Sequence, residues 1–148
     1  MTVDLFERIL LLKQSPIFDQ LPTEDLGVVA RHLEEERYFS GDRVFDLGEH
    51  GDRVYFLLSG RIGVYLRPTR VAEEFLTELG PGECFGEMNL LDGLPRSATA
   101  HVLDDSVVLS LEKSKLRGLI INYPELSLGM LKSLSLRLRK ANLRSRDT

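Results

Sequence analysis

The chain is predicted to be a mainly β domain with flanking helices. Three observations carry this. Apolar residues recur with a period of two from about residue 34 to 112. They recur with helical spacing on either side of that region. Turn-forming residues punctuate the middle at short, regular intervals.

In chain order, Leu5, Phe6, Ile9, Leu10 and Leu12 fit one face of a helix over about 3–14, closed by Pro16. Thr23 is placed as the N-cap of a second helix running to about His32. Glu24 and Asp25 stand in its first turn, where the helix dipole favours negative charge. The alternating sets follow: Val54, Phe56 and Leu58; Ile62, Val64 and Leu66; Phe75, Thr77 and Leu79; Val107, Leu109 and Leu111. Between them lie Ser40-Gly41-Asp42, Gly48 to Asp52, Ser59-Gly60, Gly80-Pro81-Gly82 and Asp104-Asp105. Ser59-Gly60 is expected to turn a tight hairpin. Short strands at this spacing predict a sandwich or jelly roll rather than a parallel sheet. From about 113 the helical period returns, with Pro124 separating a short helix from a long one. On the long helix Leu126, Met130, Leu131, Leu134, Leu138 and Ala141 form one stripe. Leu128, Leu136 and Leu143 fall off it, which suggests a second contact such as a partner's equivalent helix.

The chain has 148 residues, enough for one domain with a full core. A net charge of −4 does not suggest nucleic-acid binding by the chain as a whole. The basic residues Lys132, Arg137, Arg139, Lys140, Arg144 and Arg146 gather near the end, as a solvated helix face or as a contact surface for an acidic partner. The single cysteine, Cys84, excludes an intrachain disulfide and is compatible with a reducing compartment. No leader-like N-terminus and no long apolar run is visible, so a cytoplasmic protein without membrane insertion is expected. His32, His50 and His101 are scattered and lack metal-ligand spacing, so surface or capping roles are expected and no metal. A small buried role is expected for Cys84. No Ser-His-Asp arrangement or phosphate-binding Gly-Lys-Ser/Thr loop is present, and no enzymatic activity is expected.

The segment Phe85-Gly86-Glu87-Met88-Asn89-Leu90-Leu91-Asp92-Gly93-Leu94-Pro95-Arg96-Ser97-Ala98-Thr99 breaks the strand pattern. Gly86 allows close approach of a ligand or another backbone. Residues 87–91 suit one short helical turn whose first amides point outward. Arg96 offers a forked contact to phosphate, and each such charged bond contributes roughly 1.5–3 kcal/mol. Glu87 would repel a phosphate and suits a sugar hydroxyl instead. Together they describe a site for a ribose phosphate, with aliphatic residues covering a base. The alternative is that Glu87 and Arg96 pair with each other across the loop.

This segment resembles the phosphate-binding cassette of the cyclic-nucleotide-binding domain family, which includes catabolite activator proteins, protein kinase A regulatory subunits and cyclic-nucleotide-gated channels. Gly48-Glu49, Gly51-Asp52, Val54-Tyr55-Phe56, Leu58-Ser59-Gly60 and Val64 resemble the family's early strand pair, and the likeness spans roughly residues 15–140. The resemblance implies one domain over 1–148. Helices occupy 1–32, an eight-stranded antiparallel jelly-roll β-barrel occupies 33–112 with the cassette at 85–98, and C-terminal helices, including a long lid, occupy 113–143. It implies cAMP or cGMP as ligand and no other cofactor. Glu87 would take the ribose 2′-hydroxyl and Arg96 the cyclic phosphate. Gly86, Met88, Asn89, Ser97 and Ala98 would complete the cassette, and Val64 and Leu76 would line the base pocket.

Ser97 could contact phosphate or a guanine amino group, which leaves cAMP and cGMP both open. Asn89 departs from the smaller residue common in the family, and its side chain either reaches the ligand or caps the turn. Arg137, Ala141 and Asn142 fall where related proteins place base-contacting residues. The long helix resembles the family's lid and dimerisation helix, which implies a homodimer. A DNA-binding helix-turn-helix has no room before Thr148, so this chain is not expected to bind DNA itself. The competing expectation is a domain that kept the fold as an interaction module and lost the ligand.

Overall fold

A computed structural model describes residues 3–65 and 77–146. Two helices come first, α1 over Leu5–Lys13 and α2 over Thr23–Ala30. Asp4 caps α1 by accepting from the Glu7 amide at 2.8 Å. The expected cap of α2 is displaced by one residue. Pro22 occupies the N-cap position, so Thr23 is already helical and its hydroxyl caps nothing, while Glu24 and Asp25 do fill the first turn. Arg8 ties the pair together. It donates to the Ala30 and Leu33 carbonyls at 3.2 and 2.6 Å, satisfying backbone left open where α2 ends.

Six strands follow among the described residues: β1 (Glu34–Tyr38), β2 (Arg43–Phe45), β3 (Arg53–Tyr65), β4 (Thr77–Leu79), β5 (Cys84–Phe85) and β6 (Thr99–Glu112). All pairings are antiparallel, in the order β1-β6-β3-β4, with β2 on β6 and β5 on β3. Among the described residues there are six strands rather than the expected eight, because two expected breaks are bends inside continuous strands; Leu66 and Phe75 lie outside the described residues. Ser59-Gly60 makes no hairpin. It lies within β3, where the register against β6 shifts three times between Leu57 and Ile62. Asp104-Asp105 lies opposite, within β6. A Cβ on Gly60 would stand 2.1 Å from Ser106 Oγ, so only glycine fits this close crossing.

The bulge also explains a change in side-chain parity. Before it, Val54 and Phe56 face the helices while Tyr55 and Leu57 face the other way. After it, the even-numbered Ile62 and Val64 share a cluster with Tyr55 and Leu57. The helix-side core joins Leu12, Phe18, Leu26 and Val29 to Phe56, Leu109 and Leu111. The second cluster adds Phe85, Ala100 and Val108.

The cassette helix α3 spans Glu87–Asp92, with α4 at Lys113–Asn122 and α5 at Glu125–Arg146, divided at Pro124 as the sequence predicts. The stripe on α5 holds for its first half only. Leu126 and Met130 are buried and Leu134 packs at the edge of the core, but Leu131 and Leu138 are 61% and 62% exposed. From Ser135 to Leu143 every side chain on α5 is exposed, because the helix there has outrun the body it packs on. None of the described helices is long and apolar enough to cross a membrane. His101, expected at the surface, is buried edge-on to Tyr65 with ring centroids 5.6 Å apart.

Candidate functional site

β5 leads straight into α3 through Gly86, whose φ of +80° places it in the left-handed region that favours glycine. That turn aims Glu87 across the end of the sheet. The return segment crosses back to β6 and is pinned by backbone. Gly48 N–H donates to the Arg96 carbonyl and Arg96 N–H donates to the Glu49 carbonyl, both at 2.8 Å. The Gly48-Glu49 turn therefore fixes where Arg96 sits.

A cavity of about 220 Å³ opens between these segments. Val64, Thr77, Leu79 and Phe85 supply an apolar wall with Phe45; Gly86, Glu87, Asn89, Ser97, Ala98 and Cys84 complete it. A second cavity of about 270 Å³ lies between α1 and the Pro81-Gly82 turn, lined by Leu10, Leu11, Leu58, Gln14 and Glu7. The first is the one the glycine-hinged loop lines, with Arg96 one hydrogen bond behind its Asn89 wall, so chemistry rather than volume selects it.

Six of the nine predicted ligand residues line the selected cavity: Gly86, Glu87, Asn89, Ser97, Ala98 and Val64. Leu76 and the side chain of Met88 lie outside the described residues. Arg96 does not line it. Its guanidinium sits behind the wall formed by Gly86 and Asn89, 3% exposed. Nη1 donates to the Gly86 carbonyl at 3.3 Å and to Asn89 Oδ1 at 3.0 Å; Nη2 donates to the Arg53 carbonyl at 2.9 Å. The cation lies 4.1 Å from the centre of the Phe45 ring. Nε is buried without a partner, and no carboxylate among the described residues forms an ion pair with this arginine. Burial pulls its pKa below the usual arginine value, opposed by Tyr55, Asp52 and Glu49. A buried cation held by neutral carbonyls and an aromatic face is a costly arrangement that an anion would relieve.

Glu87 and Arg96 do not pair across the loop. Glu87 Oε1 lies 3.6 Å from Arg137 Nη1 on α5, and Oε2 accepts from Cys84 Sγ at 3.9 Å. Arg137 thereby reaches the site through the cassette carboxylate. Burial, followed by the nearby Glu87 charge, pushes the Cys84 thiol well above the usual cysteine range.

Sequence reasoning missed Phe45, Thr77, Leu79, Cys84 and Phe85 as cavity walls, and Gly51 and Arg53 as parts of the arginine's seat. Gly51 had a signal, since it stands three residues after Gly48 in the motif. A Cβ there would lie 2.0 Å from Arg96 Nε. Phe45 had none, because a single aromatic in a three-residue strand looks like core.

An antiparallel sheet carrying a glycine-hinged carboxylate over a pocket, with an arginine buried behind it, has the chemistry of a site for a small anionic molecule. Residues 35–123 match the cyclic nucleotide-binding domain, and the chain belongs to that family. It is 31% identical over 132 residues to a CRP-like cAMP-activated global transcriptional regulator of Mycobacterium tuberculosis, covering 89% of this chain and 59% of that protein. It is 33% identical to the cyclic AMP receptor protein of Thermus thermophilus, over 89% of this chain and 61% of that protein. The chain thus spans about three-fifths of these relatives. Among solved structures, the N-terminal domain of a transcriptional regulator from Streptomyces coelicolor superposes with a TM-score of 0.81 at 29% identity, covering 94% of this chain and 96% of the other.

Proposed function

We propose that the chain is a non-enzymatic sensor of a cyclic mononucleotide, cAMP or cGMP. In this reading the apolar wall covers the base and Glu87 accepts from the ribose 2′-hydroxyl. The phosphate is the missing counter-ion of Arg96, and amides near Gly86, Asn89 and Ser97 complete its cradle. The carrying observation is the buried guanidinium with an orphaned Nε and, among the described residues, no acidic partner, one hydrogen bond from the cavity wall. Because Arg96 is seated away from the cavity, capture of the phosphate requires its side chain to move. The relatives named for cAMP support this ligand class.

Arg137 joins α5 to the ligand carboxylate, so occupancy of Glu87 would bias the position of that helix. The bends in β3 and β6 fit a reading of each as two strands of an eight-stranded jelly roll. We place the protein in the cytoplasm, without membrane insertion or DNA binding by this segment. Titration calorimetry with cAMP and cGMP tests the proposal. Saturable heat that is lost in Arg96→Ala supports it, and absence of heat at millimolar ligand sinks it.

A second reading is favoured by the exposed Leu128, Leu131, Leu138 and Leu143. It makes the domain an interaction module, paired through α5, whose assembly ignores nucleotides. Light scattering with and without ligand separates the two.

A further inference from the structure

We propose that Asn89 is an affinity-setting latch: its amide oxygen holds Arg96 Nη1, and an incoming phosphate must displace it. The inference rests on reading Arg96 as the phosphate-binding residue.

Asn89 is 5% exposed, and both ends of its amide are committed. Nδ2 donates to the Leu94 carbonyl within the cassette. Oδ1 accepts from Arg96 Nη1 at 3.0 Å, a bond buried from solvent. The network fixes the amide's orientation, since a flipped amide would set its NH2 against a guanidinium that can only donate. The other acceptors of Arg96 are the backbone carbonyls of Gly86 and Arg53. Asn89 is therefore the one side chain among the described residues that accepts from it. Asn89 also lines the cavity, whereas Arg96 does not. A phosphate entering the cavity meets the latch before it meets the cation.

The exchange is favourable, because a phosphate adds charge–charge attraction to the hydrogen bond, where the amide offers only a neutral acceptor. It is not free, because each binding event breaks the Asn89–Arg96 bond. An alanine at this position would give the guanidinium no side-chain acceptor, leaving it less well satisfied before ligand arrives. The latch should lower affinity by what one hydrogen bond to a charged group contributes, roughly ten- to a hundredfold in Kd.

The test compares wild type, Asn89→Ala, Asn89→Ser and Asn89→Asp in titrations with cAMP and cGMP. Asn89→Ala should bind roughly ten- to a hundredfold tighter. Asn89→Asp should bind at least tenfold weaker, because its carboxylate is a charged competitor for the same donor. An alanine variant that binds equally or more weakly, or an aspartate variant that matches wild type, overturns the latch. Asn89→Ser serves if loss of the Leu94 contact prevents the alanine variant from folding, and should fall between wild type and alanine. A nucleotide-free arm follows modification of Arg96 by phenylglyoxal with mass spectrometry. Arg96 should react slowly in wild type and several-fold faster in the alanine and serine variants, and equal rates refute the latch. If wild type binds neither nucleotide, the sensor reading fails and the latch fails with it; if wild type binds and Asn89→Ala gains nothing, the latch alone fails.

Discussion

Arg137 on α5 stands with Nη1 3.6 Å from Oε1 of Glu87, so the long C-terminal helix is tethered to the cassette by a charge pair. The arginine side chain is 48% exposed and the glutamate 14%, so solvent screens much of the attraction. Pairs of this kind contribute about 0–1 kcal/mol. Arg137→Ala should therefore shift unfolding by no more than about 1 kcal/mol in urea melts. It should weaken cyclic nucleotide binding by up to about fivefold, through loss of the group that orients Glu87. Raising sodium chloride from tens to hundreds of millimolar should reproduce part of that loss in wild type and little in the variant. Equal salt dependence in both would show that the tether plays no part.

Arg96 offers a sharper separation of stability from binding. The buried guanidinium is stacked on Phe45 and satisfied only by neutral acceptors. Replacing a buried charge with an apolar chain of similar length is often neutral or stabilising. Arg96→Met should leave the melting temperature of the free protein unchanged or slightly raised. The same variant should lose at least about tenfold in affinity, the contribution of one charged hydrogen bond to phosphate. A variant that unfolds yet retains binding at low temperature would overturn both halves of the argument.

Gly51 is the floor beneath that arginine. A methyl group there would sit 2.0–2.3 Å from Nε, Cζ and Nη2 of Arg96. Gly51→Ala should cost about 1–3 kcal/mol in stability from overpacking. It should also lower affinity, by forcing the guanidinium off its seat. Combining it with Arg96→Ala should recover most of the stability loss, because the clash then has no second partner. Additive losses in denaturant melts would place the cause elsewhere.

The overall architecture was legible because period-two and helical patterns are local. The places that were not legible are those where local signals meet a distant partner. Ser59-Gly60 has turn chemistry, yet it bends a strand because Asp105 and Ser106 bend opposite it. Leu131 is exposed although Met130 beside it is buried, because it lies on the outer face, and Leu138 falls where α5 has already left the core. At the site, the glycine-hinged loop identified Glu87 and Arg96 as charged groups in search of partners. It could not show that Arg137 takes the first, and that Asn89, Phe45 and the Arg53 carbonyl take the second.

The exposed leucines of α5 have a measurable consequence. Leu128 and Leu131 on the outer face of the packed half of α5, and Leu138 and Leu143 beyond the body, are each about 60% exposed or more. An apolar face of this kind favours association with an identical helix. Multi-angle light scattering should show a dimer whose dissociation is concentration-dependent. Leu138→Lys should shift it toward monomer without changing the far-ultraviolet circular dichroism of the fold. A wild type that stays monomeric at hundreds of micromolar would rule out self-association through α5.

Cys84 provides a reporter inside the site. Its thiol lines the cavity, and burial together with Glu87 holds its pKa far above neutrality, so the reactive thiolate is scarce. Reaction with Ellman's reagent at pH 7 should be much slower than for free cysteine and should accelerate as pH rises. Glu87→Gln removes the negative charge beside the thiol and should speed the reaction at fixed pH, since a neutral amide no longer opposes the thiolate. Saturating cyclic nucleotide should slow it further by filling the cavity. A thiol that reacts at the free-cysteine rate, with no response to ligand, would mean that Cys84 faces solvent rather than the cavity.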